Sequence, residues 1–357
     1  MDACVTLGIY QLRSRRGTFA VGPVTASLQA GDCLALIGVN GAGKTTLLET
    51  LAGFFPVMSG HVWLDGEDIT ARAPEHRRMA YLPQDLALFP HLSAIENVAF
   101  AARRRRVREW QREVDALVAE FGLEDLRARY PHQLSRGQAQ RVAFARALAA
   151  RPAVLLLDEP AASLDPQGQR NFHAAVSKLL IERGSTVVFA THDILDSLSF
   201  ADQLIVLDQG QVVQAGPREA LFDAPASVRV AELLGISNVW PADILGTLGG
   251  VVRICTGGCE LQCAAAPIPQ NSSCVAIGPG EIEVLPGAPT DTTNCLKAVV
   301  RSLQVGSRTA SLNLAAAPGD IQATLPPWRA ADVVVGETIW IRLPADRLRL
   351  LPGPCSD

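Results

Sequence analysis

Up to about residue 235, apolar residues alternate between two patterns. Short continuous runs, Leu34-Ala35-Leu36-Ile37, Val154-Leu155-Leu156-Leu157 and Thr186-Val187-Val188-Phe189-Ala190, have the length of buried strands. Between them lie helical spacings: Leu47, Leu48 and Leu51 with Gly53 as a stop signal, and a long helical stretch over residues 93–150. Phe19 and Val21 alternate with smaller residues beyond a turn near Arg15-Arg16-Gly17, which predicts an antiparallel pair. Gly60 to Leu64 with Ile69 predicts a further strand and turn, and Met79 to Leu82 a strand ending in Pro83-Gln84. Leu204 to Leu207 and Gln211 to Val213 form a hairpin around Asp208-Gln209-Gly210. Strands alternating with helices make this an α/β domain, with a helical insertion near 90–150.

After about residue 236 the helical spacing stops. Short strands alternate with Gly and Pro: Val251 to Ile254, Cys274 to Ile277, Leu296 to Leu303, Thr309 to Leu314 and Thr338 to Leu343. That texture predicts a small β-barrel or barrel pair, joined through a linker near Gly235 to Asn238. The length of 357 residues suits two domains, residues 1–235 and 236–357.

The chemistry gathers at strand ends. Leu34 to Ile37 runs into Gly38-Val39-Asn40-Gly41-Ala42-Gly43-Lys44-Thr45-Thr46, a glycine-rich loop between strand and helix that fits G-x-x-x-x-G-K-[ST]. Glycines let backbone N–H groups crowd a phosphate, and the helix N-terminus adds positive potential. Lys44 can reach the β- and γ-phosphates, and the Thr45 hydroxyl can ligate Mg²⁺. The run Val154 to Leu157 ends in Asp158-Glu159-Pro160. Alternation points the two carboxylates in different directions, so one can hold Mg²⁺ through water and the other can orient or deprotonate an attacking water. Gln84 can ligate Mg²⁺ or orient water, or simply solvate a loop. Ser135, in Leu134-Ser135-Arg136-Gly137-Gln138, is placed as the N-cap of a second helix that can hold an anion. His192 follows the run Thr186 to Thr191, at the strand edge where open α/β sheets bind ligands.

Composition narrows the class. Hydrophobic residues are 48% and charged residues 19%, as in an ordinary globular protein. A net charge of −4 disfavours nucleic acid as a partner. The basic run Arg103 to Arg106 with Arg108 is followed by Glu109, Glu113 and Asp115, and so reads as a solvated helix face. No apolar run approaches the length of a membrane span, and Met1 to Cys4 reads as no signal peptide, so the chain is expected to stay in the cytoplasm. Cys255, Cys259, Cys263, Cys274 and Cys295 lack metal-ligand spacing and read as free thiols.

Together, and in this order, the motifs of residues 1–235 resemble the ATP-binding subunit of an ABC transporter. Gly38 to Thr45 match its Walker A loop, Gln84 the Q-loop, Leu134 to Gln138 the signature, Leu155 to Glu159 Walker B, Ser163-Leu164-Asp165 the D-loop and His192 the switch histidine. The resemblance implies ATP and Mg²⁺ as cofactors, with Thr45, Gln84 and Asp158 at the metal and Glu159 and His192 as catalytic residues. Gly38, Asn40, Gly41, Gly43, Lys44, Thr45, Thr46, Gln84, Ser135, Gly137, Gln138 and Asp165 would contact the nucleotide. It further implies a homodimer that sandwiches two ATPs, each between one subunit's Lys44 loop and the other's Ser135 and Gly137. Two membrane permease subunits, an external solute-binding protein and a peripheral place on the cytoplasmic face of the inner membrane complete the expectation.

Leu88 to Val98 is similar to importer ATPases for molybdate, sulfate, ferric iron, polyamines and sugars, which carry a C-terminal oligonucleotide-fold-like regulatory domain. Residues 240–357 suit that domain, and an inorganic oxyanion such as molybdate or sulfate is the expected solute. The alternatives are ferric iron, a polyamine or a sugar. A non-transport ABC ATPase acting on ribosomes or DNA would carry a second cassette or long heptads, and this chain has neither. The chain departs from the family at Arg136, where glycine is usual, and at Arg15 and Arg16, where an aromatic residue usually stacks on adenine; Tyr10 and Phe19 are nearby. It departs again at Ile277-Gly278-Pro279-Gly280-Glu281, where Ile-Arg-Pro-Glu is common.

Overall fold

The strand pattern at the start of the chain closes as a hairpin: β1 (Val5–Arg16) pairs antiparallel with β2 (Phe19–Gln29). The computed structural model describes residues 5–105, 107–160, 168, 169, 172, 174, 176, 177, 184–191, 200–264, 272–307 and 309–352. Arg106, Ser163, Leu164, Asp165 and His192 therefore lie outside the described residues. The chain divides into two compact units at Arg218 and Glu219.

In the first unit, β3 (Cys33–Ile37) is buried at every position and leads into α1 (Lys44–Ala52), which ends at Gly53. Then come β4 (Val57–Leu64), β5 (Glu67–Asp68) and β6 (Met79–Leu82). β7 (Val154–Asp158) and β8 (Thr186–Thr191) are wholly buried, as continuous apolar runs require when both sheet faces are covered. β9 (Gln203–Asp208) and β10 (Gln211–Pro217) form the hairpin around Gln209 and Gly210. One sheet is antiparallel, in the order β2-β1-β4-β5. The other has the order β10-β9-β3-β8-β7-β6, parallel apart from the edge strand β10. A single core joins Leu7, Ile9 and Leu12 of the first sheet to Leu47, Leu48 and Leu51 of α1 and to Leu36, Leu156 and Val188 of the second.

The helical insertion leaves after β6 and returns to β7, its parallel neighbour. It contains α2 (Ala94–Arg104), α3 (Trp110–Glu120) and α4 (Arg136–Ala149). α2 starts at a capping box in which Ser93 and Glu96 satisfy each other's backbone N–H groups. The basic run lies on the surface, Arg103 and Arg104 being exposed, and its cations also pack on neighbouring rings. Arg103 lies 4.4 Å from the Trp110 ring and Arg104 5.7 Å from the Phe100 ring, and both sit in the last turn of α2, where the helix dipole favours cations.

Arg77 is a buried cation with a full set of acceptors. Its Nε donates to Arg72 O (2.9 Å), Nη1 to Thr50 O and Leu51 O (both 2.9 Å), and Nη2 to Thr70 O (2.7 Å). It closes the C-terminal carbonyls of α1, where positive charge is favoured. Arg77→Met should orphan these acceptors and lower stability by about 2–4 kcal/mol, read as a lower denaturant midpoint at unchanged slope.

The second unit is built from antiparallel sheets. One contains β11 (Asn238–Pro241), β15 (Ser272–Ile277) and β21 (Arg349–Pro352). Another contains β12 (Asp243–Leu248), β13 (Val251–Thr256) and β14 (Cys259–Ala264). The largest runs β16 (Glu283–Leu285), β20 (Thr338–Arg342), β17 (Cys295–Val305), β18 (Ala310–Ala316) and β19 (Gly319–Leu325). Residues of all three sheets share one core, including Trp240, Ile254, Val275, Leu312 and Ile341.

The compact boundary falls earlier than the linker read near Gly235 to Asn238. Ile236 is buried, Asn238 opens β11, and Arg349 of β21 donates Nε to Phe222 O. Arg349 also grips Glu281 with both terminal nitrogens, at 2.6 and 2.7 Å, so the unusual Pro279–Glu281 turn is a structural anchor. Cys255, Cys259, Cys263 and Cys295 are free thiols as expected, and burial pushes the Cys263 thiol up to about 12. Cys274 corrects that expectation: it is disulfide-bonded.

Candidate functional site

Parallel pairing aligns the chemistry. Ile37 is in register with Thr191, Asp158 with Ala190, and Leu82 with Leu157. The segments that follow these residues, Gly38 to Thr46, Gln84 and Glu159, therefore emerge along one edge, where open α/β sheets bind ligands. His192 directly follows Thr191 in the chain.

The glycine-rich loop leaves no room at its base. A Cβ on Gly38 would stand 2.3 Å from Leu207 O. Gly43 has φ +107, and a Cβ there would meet the Val21 side chain at 2.7 Å and the Phe19 ring at 3.2 Å. Gly43 is also the N-cap of α1 and brings no side chain to its first N–H groups, which stay available to an anion. Asn40 and Gly41 are exposed at the crown of the loop, and Thr46 is buried in α1.

Lys44 is only 5% exposed. Its Nζ donates to Gly38 O at 2.7 Å and Val39 O at 3.3 Å, and lies 3.7 Å from Glu159 Oε1. Burial pushes its ammonium below the usual lysine range, while Glu159 and Asp158 pull it back up. Thr45 Oγ1 donates to Asp158 Oδ2 at 2.8 Å, and the Tyr81 hydroxyl donates to the same oxygen at 3.3 Å. Gln84 Nε2 donates to Glu159 Oε2 at 3.2 Å. Glu159 itself adopts a left-handed backbone, φ 45, at the turn out of β7. Such strain in a non-glycine residue persists only where the surroundings impose it.

Asp158 Oδ1 is buried with no hydrogen-bond partner. An orphaned carboxylate oxygen beside the Thr45 hydroxyl, with the Gln84 amide on the adjoining Glu159, is a hard-oxygen donor set that fits Mg²⁺. Among the described residues no three His, Cys, Asp or Glu side chains gather as a metal cage. Burial raises the Asp158 carboxyl above the ordinary aspartate range, against the hydrogen bonds from Thr45 and Tyr81. The folded protein thus holds this proton more tightly than the unfolded chain. Asp158's contribution to stability is present below the unfolded pKa and is lost as pH rises through the raised one. Asp158→Asn should then melt above the parent without nucleotide at pH above the raised pKa, the gap closing towards acid pH, while losing metal-dependent turnover. Differential scanning over a pH series reads both the sign and the slope.

Ser135 caps α4 in a capping box: Gln138 N donates to Ser135 Oγ at 3.3 Å and Ser135 N to Gln138 Oε1 at 2.9 Å. Space around Gly137 is open. None of the described hydrogen bonds joins Ser135 or Gln138 to Lys44 or Asp158. The structure assembles one group from Lys44, Thr45, Gln84, Asp158 and Glu159. Arg136 beside Ser135 is exposed. Arg16 pairs with Glu49 at 3.1 Å and lies 5.2 Å from the Phe55 ring, while Tyr10 is 61% exposed. Tyr81 escaped the sequence reading. Its only signal is a hydroxyl three residues before Gln84 on the strand adjacent to Asp158.

Residues 21–162 match the family model described as ABC transporter. The chain is 35% identical over 341 residues to the Fe(3+) ions import ATP-binding protein of Pseudomonas fluorescens, covering 92% of this chain and 93% of that protein. It is 36% identical to a sulfate/thiosulfate import ATP-binding protein of Chromobacterium violaceum, over 98% and 96% of the two chains. Among solved structures, a dimeric ATP-binding cassette in a post-hydrolysis state with ADP and Pi bound is similar, at 27% identity and a TM-score of 0.54 over 59% of this chain and 98% of that one.

Proposed function

That this chain belongs to the import ATP-binding subunits of the ABC transporter family is the premise from which we propose its solute class and the roles of its residues. It binds ATP with Mg²⁺ and hydrolyses it to power solute import. In our reading Lys44 and the N–H groups of the Gly38–Thr45 loop hold the β- and γ-phosphates, exchanging the Gly38 and Val39 carbonyls for phosphate oxygens. Mg²⁺, when bound, neutralises charge developing on the phosphates. Thr45, Asp158 and Gln84 would hold it. Glu159 orients or deprotonates the attacking water, with Gln84 Nε2 steadying its second oxygen. His192 completes the catalytic pair with Glu159 in this reading, and Asp165 contacts the nucleotide.

The α4 N-terminus, with Ser135, Gly137 and Gln138, serves the nucleotide of a second copy. Its separation from Lys44, and the dimeric cassette similar to this chain, support that arrangement. Two copies would work on two permease subunits at the cytoplasmic face of the membrane, fed by an external binding protein. No described helix is long and apolar enough to cross a membrane. We read residues 1–235 as the ATP-binding domain, with its helical part near 90–150, and 236–357 as a small regulatory β-barrel. The single core shared by the antiparallel sheets of the second unit supports the latter.

For the solute we infer an inorganic oxyanion such as sulfate or molybdate. The observation that carries it is the near end-to-end match to the sulfate/thiosulfate import protein. The ferric iron relative, of similar identity and span, makes Fe³⁺ the second reading. The test is the purified complex with its permease in vesicles, given binding protein loaded with sulfate, molybdate or Fe³⁺. Oxyanion-loaded protein should raise ATP hydrolysis about tenfold; a response to Fe³⁺ alone would transfer the assignment to iron.

A further inference from the structure

Two non-glycine residues in succession after Gln84 adopt left-handed backbone: Leu86 at φ 66 and Ala87 at φ 40. Each costs conformational energy for an L-residue, so something must hold the turn beyond its own Leu86 N to Pro83 O bond of 3.0 Å. Arg146, on α4, does so. Its Nη1 donates to Ala87 O at 2.6 Å and its Nη2 to Leu86 O at 2.8 Å. Its guanidinium also lies 5.4 Å from the Phe89 ring. A planar fork that spans two consecutive carbonyls is a geometry that lysine cannot copy. Burial lowers the Arg146 pKa and the Asp85 carboxylate raises it, so the cation is partly desolvated and leans on this one segment.

The far side of the segment is fastened as well. Asn97, fully buried on α2, accepts from Phe89 N at 2.9 Å and donates to Phe89 O, Leu92 O and Ser93 O. With Phe89 fixed at one end and β6 at the other, the Leu86–Ala87 turn is held by Leu86 N donating to Pro83 O at 3.0 Å within it and by Arg146 on its two carbonyls from α4. Gln84 stands two residues before that turn, with its amide on Glu159. Arg146 also lies on α4, the helix capped by Ser135 whose N-terminus is read above as serving a second copy's nucleotide.

We propose that Arg146 is a positioning residue: by clamping the strained Leu86–Ala87 turn to α4, it holds Gln84 in register with Glu159 and joins that register to the helix that meets the partner's nucleotide. The proposal rests on the reading that Gln84 serves hydrolysis. Arg146 touches no reacting atom, so its loss acts through geometry, and displacements of about 1 Å at such a site can cost up to a hundredfold in rate.

The test uses the full chain and Mg²⁺-ATP. Arg146→Met should bind ATP within about twofold of the parent, lower kcat per bound nucleotide about tenfold, and raise the Mg²⁺ concentration for half-maximal turnover about threefold. Arg146→Lys, which keeps the charge and loses the fork, should shift both quantities in the same direction by a smaller factor, and it carries the test if Arg146→Met fails to fold. A merely structural residue would instead lower the bound fraction and leave kcat per bound ATP and the Mg²⁺ response unchanged; that result overturns the proposal. Gln84→Ala combined with Arg146→Met should lose no more than about twofold beyond Gln84→Ala alone, because both act through one side chain; fully multiplicative losses overturn it. If Gln84→Ala turns over like the parent, the role read for Gln84 fails and the proposal falls with it. If Gln84→Ala is slow and Arg146→Met is normal, the proposal alone falls.

Discussion

Glu159→Gln will bind ATP as the parent does and hydrolyse it about a hundredfold more slowly or worse. The substitution keeps the shape and the acceptor for Gln84 Nε2, which lies 3.2 Å from Glu159 Oε2. It removes the negative charge and the capacity to take a proton from water. Lys44 loses its ion-pair neighbour at 3.7 Å but keeps Gly38 O and Val39 O, and the N–H groups of the loop are unchanged, so in the proposed reading affinity survives. Nucleotide that is held and not cleaved should accumulate the two-copy state, visible as ATP-dependent dimer in sedimentation. Turnover near the parent's would remove Glu159 from the chemistry.

Lys44→Ala will fail at an earlier step. Its ammonium is buried among Gly38 O, Val39 O and Glu159 Oε1, so the loop is built around a cation. Losing that charge-assisted donor from a phosphate should weaken ATP binding by about 1.5–3 kcal/mol, roughly tenfold to a hundredfold, and hydrolysis with it. Titration calorimetry separates the two variants: Glu159→Gln retains the binding isotherm and Lys44→Ala loses it. If Lys44→Ala binds as tightly as the parent, the lysine serves something other than phosphate.

The core of this site was legible because its residues sit where strands end. A buried run that stops in Gly-rich, Asp-Glu or Pro-Gln residues declares its edge, and the parallel register then lines the edges up. Lys44, Thr45, Gln84, Asp158 and Glu159 were found in that way. Tyr81 and Arg146 were not. Tyr81 looks like one more strand residue, and Arg146 like one more cation on a helix, until tertiary packing brings Asp158 and the Leu86–Ala87 carbonyls to them. The compact units divide earlier than the change of texture for a related reason. The change of texture near residue 236 marks where helical spacing ends, but contacts such as Arg349 with Phe222 O reach back past it. Cys274 could not be told from its neighbouring cysteines by spacing, since disulfide geometry depends on which strands meet.

Arg77 has a consequence for how the molecule opens. Its four acceptors belong to residues 50, 51, 70 and 72, so one guanidinium ties the end of the phosphate-loop helix to the segment that follows β4 and β5. Neither element can fray far without releasing the other's buried charge. In amide hydrogen exchange, the last turn of α1 and the stretch around residues 62–77 should therefore gain and lose deuterium together, as one opening unit. A nucleotide at the N-terminal end of α1 would then slow exchange in a hairpin at the helix's other end.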